Sequence, residues 1–255
     1  MIELYIGRAF LVSLRVGALM SFAPFYSNAS LPPSVKAGLT LVLTLLLLPV
    51  YALTVPIPAA AGVWSWAAMV LSEVALGLMA GFTTQFVFDG MVLAGQIIGF
   101  QFGFSLVNII DPNSQVEITV LSTLHELAAL LIFMQLGVHR WLLRVVAMSF
   151  QMVPLGTFSG TPIPAGEVMH MAGAMWLIGA EIAFPVIVAT MLVDLTIGFL
   201  SKASPQFPAL FFGISVKVMA GLGVLYGTVA LWPSILERYF FHALTDLERL
   251  LSISH

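Results

Sequence analysis

An all-α, multi-helix, membrane-associated fold is predicted by three features of this sequence: its apolarity, the length of its apolar runs, and the proline and glycine punctuation between them. Hydrophobic residues make up 60% of the 255-residue chain and charged residues 8%, with a mean hydropathy of +1.05. A soluble domain carries about 25% charged residues, so an ordinary soluble body is excluded. The net charge of −3 and nine singly scattered Lys and Arg give no electrostatic footprint for nucleic acid. The absence of cysteine rules out disulfides and thiolate metal sites. Glu3, Arg8 and Arg15 interrupt the start of the chain where a secretory signal would be uniformly apolar, so this segment is expected to be retained.

In chain order, apolar runs cover about 9–25, 37–51, 63–88, 91–110, 120–138, 141–155, 168–200 and 209–232, giving six to eight helices. A span needs roughly 20 residues, which makes 37–51 and 141–155 short for independent crossings and 168–200 long for one. Breaks are expected where helix-ending residues gather. These are Asn28 to Pro33, Pro56-Ile57-Pro58, Asp111-Pro112-Asn113, Pro154 to Pro164, and Ser204-Pro205-Gln206. His139, Arg140, Trp141 and Arg144 combine basic and aromatic character as at a membrane edge. After a single body over 1–232, residues 233–255 place Leu236, Phe240, Leu244, Leu247 and Leu251 at three- and four-residue steps among charges. That spacing predicts an amphipathic helix, folded onto the body, lying at the interface or docked on a neighbour.

The segment 90–112 is apolar enough for a bilayer yet carries Gly95, Gly99 and Gly103 at four-residue spacing, with Gln96 and Gln101 among them. Residues four apart share a helix face, so the glycines form a groove for close backbone approach. Unsatisfied amides in hydrocarbon are costly, which points to a partner or a water-filled path. Arg15, Glu73, Asp89, Glu126, Glu181, Asp194 and Lys217 also interrupt apolar sequence and are expected to be buried charges. Each must pair within the protein, as Asp194 could with Lys217, or sit in helices packed against other subunits.

Enzymatic motifs fail on their own mechanics. His125-Glu126 begins like a zinc-protease helix, but Ala129 stands where the second histidine ligand must be. Neither a Gly-x-Ser-x-Gly elbow nor a phosphate-binding Gly-x-x-x-x-Gly-Lys loop occurs. The chain is expected to be no enzyme, with no cofactor.

Taken together, several motifs resemble the FliR/SctT family of export-gate subunits of type III secretion systems, over nearly the whole chain and in the family's order. They are Arg15-Val-Gly17 leading to Pro24-Phe25, Pro33-Ser-Val-Lys36, Glu73-x3-Gly77-x3-Gly81, and Gly95-Gln96 through Gly99, Gln101 and Gly103. Asp111-Pro112, Asp194-Leu-x-x-Gly198, Ser204-Pro205-Gln206 and Gly213-x3-Lys217 complete the set. Phe207-Pro208 departs from the family, in which many members carry a small run with Asn.

The resemblance implies a FliP-like part fused to a FliQ-like part, packed with FliP-like and FliQ-like subunits in a helical hetero-oligomer, with an FlhB-like subunit nearby. The assembly would sit in the bacterial inner membrane at the flagellar basal body, in contact with lipid and with unfolded export substrates. By motif position, a channel plug would fall at about 99–115, with Gly99, Phe100, Gln101, Phe102, Gly103, Phe104, Asp111 and Pro112 as its residues. Gly77, Gly81, Gly95 and Gln96 would serve subunit packing. Hydrophobic packing between helices is the plain alternative for the phenylalanines. The competing class is a stand-alone secondary transporter relaying protons or cations through Asp89, Glu126 or Asp194.

Overall fold

The computed structural model describes residues 2–27, 32–52, 62–104, 120–156, 165–204 and 209–253, which form helices and no strand. The order is α1 (Ile2–Phe22), α2 (Pro24–Ser27), α3 (Pro33–Leu47) with a π-helical turn over Leu48–Ala52, and α4 (Val63–Gln101). Then follow α5 (Val120–Gln135), α6 (Val138–Met152), α7 (Ala165–Ala203), α8 (Ala209–Thr228), a 3-10 turn over Val229–Leu231, and α9 (Trp232–Ile253). The expected breaks at 56–58 and 111–113 lie outside the described residues.

Local chemistry explains the described helix ends. Pro24 and Pro33 open α2 and α3, where a missing N–H costs nothing because the first turn's donors have no helical partner. Gly137, at φ +70°, separates α5 from α6, and the two helices bend by 67°. Among the described residues, five segments are long and apolar enough to cross a membrane: 5–22, 33–50, 63–101, 169–203 and 212–251. The bent α5–α6 pair would make a sixth if counted as one.

Two features differ from the sequence expectation. The run 63–88 and the part of 91–110 up to Gln101 join into one 39-residue helix, α4, with no break at Asp89-Gly90. Gly90 is not a stop there, because a Cβ on it would come within 2.7 Å of Ile178 Cβ, so it serves the approach of α7. The run 168–200 is likewise one 39-residue helix that carries Pro185 in its interior. Apolar helices tolerate such a proline when neighbouring groups take up the freed carbonyl.

The helices fall into two compact units. The first comprises residues 1–86, 133–172 and 240–255. Its core is built on Leu11, Val12 and Leu19 of α1, Leu142, Val146 and Phe150 of α6, and Phe240, Leu244, Leu247 and Leu251 of α9. Phe133 and Phe240 meet edge to face at 5.6 Å. The second unit comprises 87–132 and 173–239, around Met91, Ala94 and Ile98 of α4, Ile178 and Ile182 of α7, and Trp232 and Leu236 of α9. All five apolar positions that predict an amphipathic C-terminal helix are therefore buried, Leu236 in one unit and the other four in the other.

Candidate functional site

In the second unit, α4 ends in a cap built on Gly103. The Gly103 N–H donates to Phe100 O at 3.0 Å, and the Phe104 N–H reaches back to Gly99 O at 3.1 Å. This crossed pair requires a left-handed residue between the helix and the following chain, and Gly103 supplies it at φ +81°. Gly103 therefore caps the helix and does not continue the glycine face of Gly95 and Gly99.

The cap sends the phenylalanines different ways. Phe102 is 2% exposed, while Phe100 is 73% exposed and Phe104 40%. The Phe102 ring lies on Gly221 of α8, where any Cβ would collide with it, and Thr190 of α7 closes the same seat. Phe104 meets the Phe102 ring edge to face at 5.9 Å. Phe102 thus packs between helices of this chain, as the plain alternative has it, and Phe100 and Phe104 stand exposed on either side of it. Asp111 and Pro112 lie outside the described residues.

The seat for Phe102 belongs to a regular α7–α8 face. Gly213, Lys217 and Gly221 recur every four residues on α8 and meet Ile197, Asp194 and Thr190 of α7 in antiparallel order. Lys217 Nζ pairs with Asp194 Oδ2 at 2.5 Å between the two glycine contacts. Gly221 was not singled out from sequence, although its four-residue step from Gly213 and Lys217 carries the signal.

The first unit contains a buried ion pair. Arg15 of α1 and Glu73 of α4 are 1% and 0% exposed, with Arg15 Nε donating to Glu73 Oε2 at 2.6 Å. Arg15 also donates to Ser149 Oγ at 3.0 Å and to Val153 O at 3.1 Å, and its guanidinium lies 4.3 Å from the centre of the Phe150 ring. Glu73 Oε1 accepts the Gly156 N–H at 2.9 Å. Two apolar helices, the end of α6 and the turn after it are joined by these bonds. Sequence reasoning found both charges and missed Ser149, Val153 and Gly156, because a partner's chain distance leaves no periodic trace.

The remaining charges are not enclosed in the same way. Glu126, Glu181 and Asp194 are exposed on the chain, and Asp89 and Lys217 are half-buried. Glu181 is held by Arg238 at 2.6 Å and by the Tyr239 hydroxyl at 2.9 Å. Of the seven charges singled out from sequence, Arg15 and Glu73 are the two that are buried within the described chain. His125 is buried against the Trp232 ring at 4.7 Å, with Nδ1 within 2.7 Å of Leu121 O. Among the described residues, no three metal-binding side chains come together.

The glycines assigned to subunit packing are filled from within the chain. A Cβ on Gly77 would strike the Arg15 carbonyl, and one on Gly81 would come within 2.8 Å of Phe22 Cβ, so both receive α1. A Cβ on Gly95 would lie 2.5 Å from Ser122 Cα, which places α5 in that groove. Gln96 is exposed.

Comparison with known proteins covers almost the entire chain. The family described as bacterial export proteins, family 1, matches residues 6–243. The flagellar biosynthetic protein FliR of Escherichia coli (strain K12) is 30% identical over 241 residues, covering 92% of this chain and 90% of that protein. The FliR protein of Pectobacterium carotovorum subsp. carotovorum is 28% identical over 98% of this chain and 96% of its own length. That of Buchnera aphidicola subsp. Baizongia pistaciae (strain Bp) is 25% identical over 91% and 89%.

Proposed function

The chain belongs to the bacterial export proteins of family 1, alongside flagellar FliR proteins, and on that premise we propose that it gates an export channel through the segment that leaves α4. As a membrane-embedded, non-enzymatic subunit of the flagellar export apparatus, it would combine with FliP-like and FliQ-like subunits in the bacterial inner membrane. The channel so formed would pass unfolded proteins. Its own fold would join a FliP-like to a FliQ-like part, and an FlhB-like subunit would sit nearby.

The observation that carries the gating reading is the split of the phenylalanines at the Gly103 cap. Phe102 is seated between α7 and α8, which fixes where Phe100 and Phe104 stand at the end of the helix. An anchored exit suits a plug, which must close a narrow path reproducibly and still be displaced by substrate. Large apolar rings left exposed beside a buried anchor would be covered by a lumen or a neighbouring subunit.

Native mass spectrometry of the detergent-extracted protein, produced alone and with the membrane proteins of its operon, tests the assembly. One copy within a large hetero-oligomer is expected. A stable monomer or homodimer indifferent to those partners would overturn the gate reading and favour a stand-alone transporter.

A further inference from the structure

We propose that the Asp194–Lys217 ion pair is a register pin: it fixes the alignment of α7 against α8 and, through that alignment, the seat that holds Phe102. Asp194 and Lys217 are then positioning residues for the end of α4. Both residues and Phe102 belong to the second unit.

The seam between α7 and α8 is smooth. On α8 it is carried by Gly213 and Gly221, which have no side chain to interlock, and on α7 by Ile197 and Thr190. A Cβ on Gly213 would meet Ile197 Cδ1 at 3.4 Å, and one on Gly221 would meet Thr190 Cγ2 at 3.3 Å. The Thr190 hydroxyl donates to Val186 O and Ile187 O of its own helix, while its methyl group faces Gly221. Apolar contacts of this kind are non-directional, so they do not by themselves choose between alignments one turn, about 5.4 Å, apart.

The ion pair does choose. Lys217 is the only charged residue in the sequence of α8, and its Nζ lies 2.5 Å from Asp194 Oδ2. Its side chain is 17% exposed, against 51% for Asp194. Four residues to either side of Asp194 stand Thr190 and Gly198, neither of which offers a carboxylate. A slip of one turn would therefore leave a mostly enclosed ammonium without its counter-charge. One polar position in an otherwise apolar seam is the best-attested device for fixing helix register.

Phe102 depends on the same alignment. A slip would carry Gly221 away from the ring and bring Lys217 or Leu225 toward it. No side chain fits there, since the ring already occupies the place of a Cβ on Gly221. Phe102 would have to leave its seat. The consequence for export rests on the gating reading, whereas the alignment itself does not.

The chain has no cysteine, so introduced pairs report the alignment directly. A disulfide forms only where two Cα atoms come within about 7 Å, which separates alignments one turn apart. The test uses full-length protein produced with the membrane proteins of its operon. Ile197→Cys with Gly213→Cys reports the native alignment. Val193→Cys or Ser201→Cys, each with Gly213→Cys, reports a slip of one turn in either direction. Oxidation is expected to cross-link the native pair alone. In the background Asp194→Leu, Lys217→Met, which removes both charges and strands neither, the native cross-link should fall about fivefold while a slipped one rises, the scale of one polar contact between apolar helices. The exchanged pair Asp194→Lys, Lys217→Asp should restore the native cross-link.

A native cross-link undiminished in the apolar background would overturn the proposal, as would slipped cross-links in the exchanged pair. If the apolar variant does not accumulate, the exchanged pair decides: native cross-links uphold the pin and their loss overturns it. Ion leak through the same assembled gates reads the consequence, and slipped gates are expected to leak. Slipped alignment in a gate that still holds ions would uphold the pin and overturn the gating reading instead.

Discussion

Glu73→Ala is expected to destabilise the protein by about 3–5 kcal/mol, the cost of leaving a buried guanidinium without its counter-charge. Arg15 is 1% exposed and cannot turn to solvent, and its remaining partners, Ser149 Oγ and Val153 O, are neutral. The Gly156 N–H would also lose its acceptor. Thermal unfolding in detergent, followed by helical circular dichroism, measures the loss.

The informative comparison is the double variant Arg15→Met, Glu73→Leu. A buried pair replaced by apolar residues of similar volume is often neutral or stabilising, so the double variant should recover most of the stability lost by the single one. If Glu73→Ala unfolds like wild type, the pair is not buried in the working protein. If the double variant is as unstable as the single, the hydrogen bonds to Ser149, Val153 and Gly156 outweigh the charge pairing.

The second large effect is expected at Gly95. Its Cβ position lies 2.5 Å from Ser122 Cα and 2.8 Å from Leu121 O, all main-chain atoms that no rotamer change can move. Gly95→Val must separate α4 from α5, which costs at least the 1–3 kcal/mol typical of overpacking, as a rough figure. Gly173 on α7 is the control, because nothing lies within 4 Å of its Cβ position. Gly173→Ala should be neutral, or stabilising by roughly 0.5–1 kcal/mol through helix propensity. Proteolytic half-life of the two variants in detergent separates these outcomes, and equal half-lives would contradict the close α4–α5 approach.

Helical character and the membrane class were legible in the sequence, because each rests on local composition or spacing. Leu236, Phe240, Leu244, Leu247 and Leu251 illustrate the reach of periodicity, since every one is buried. Periodicity also has a limit, visible at Gly77, Gly81 and Gly95. Four-residue spacing says that a helix face is small and can be approached closely, but not whether the approaching helix belongs to the same chain. Here it does, as α1 and α5 occupy those faces.

The merging of two apolar runs into α4 was hidden for a similar reason. Asp89-Gly90 looks like punctuation, yet a single glycine costs a helix only about 1 kcal/mol, which packing against Ile178 offsets. At the candidate site, the alternation of Phe100, Phe102 and Phe104 was visible, while their division into an anchor and two presented rings was not. That division depends on the left-handed turn at Gly103 and on Gly221, which is far along the chain.

The gating account rests on Phe100 and Phe104 closing a path that Phe102 only positions. The most direct measurement is ion leak through membranes carrying the complete export gate, comparing wild type with Phe100→Ala, Phe104→Ala and with Phe102→Ala. Removing the two exposed rings is predicted to leave the gate assembled and leaking ions. Phe102→Ala should reduce folded subunit as well, since truncating a buried phenylalanine costs about 3–5 kcal/mol. A double variant that assembles, exports and holds ions as tightly as wild type would contradict the account.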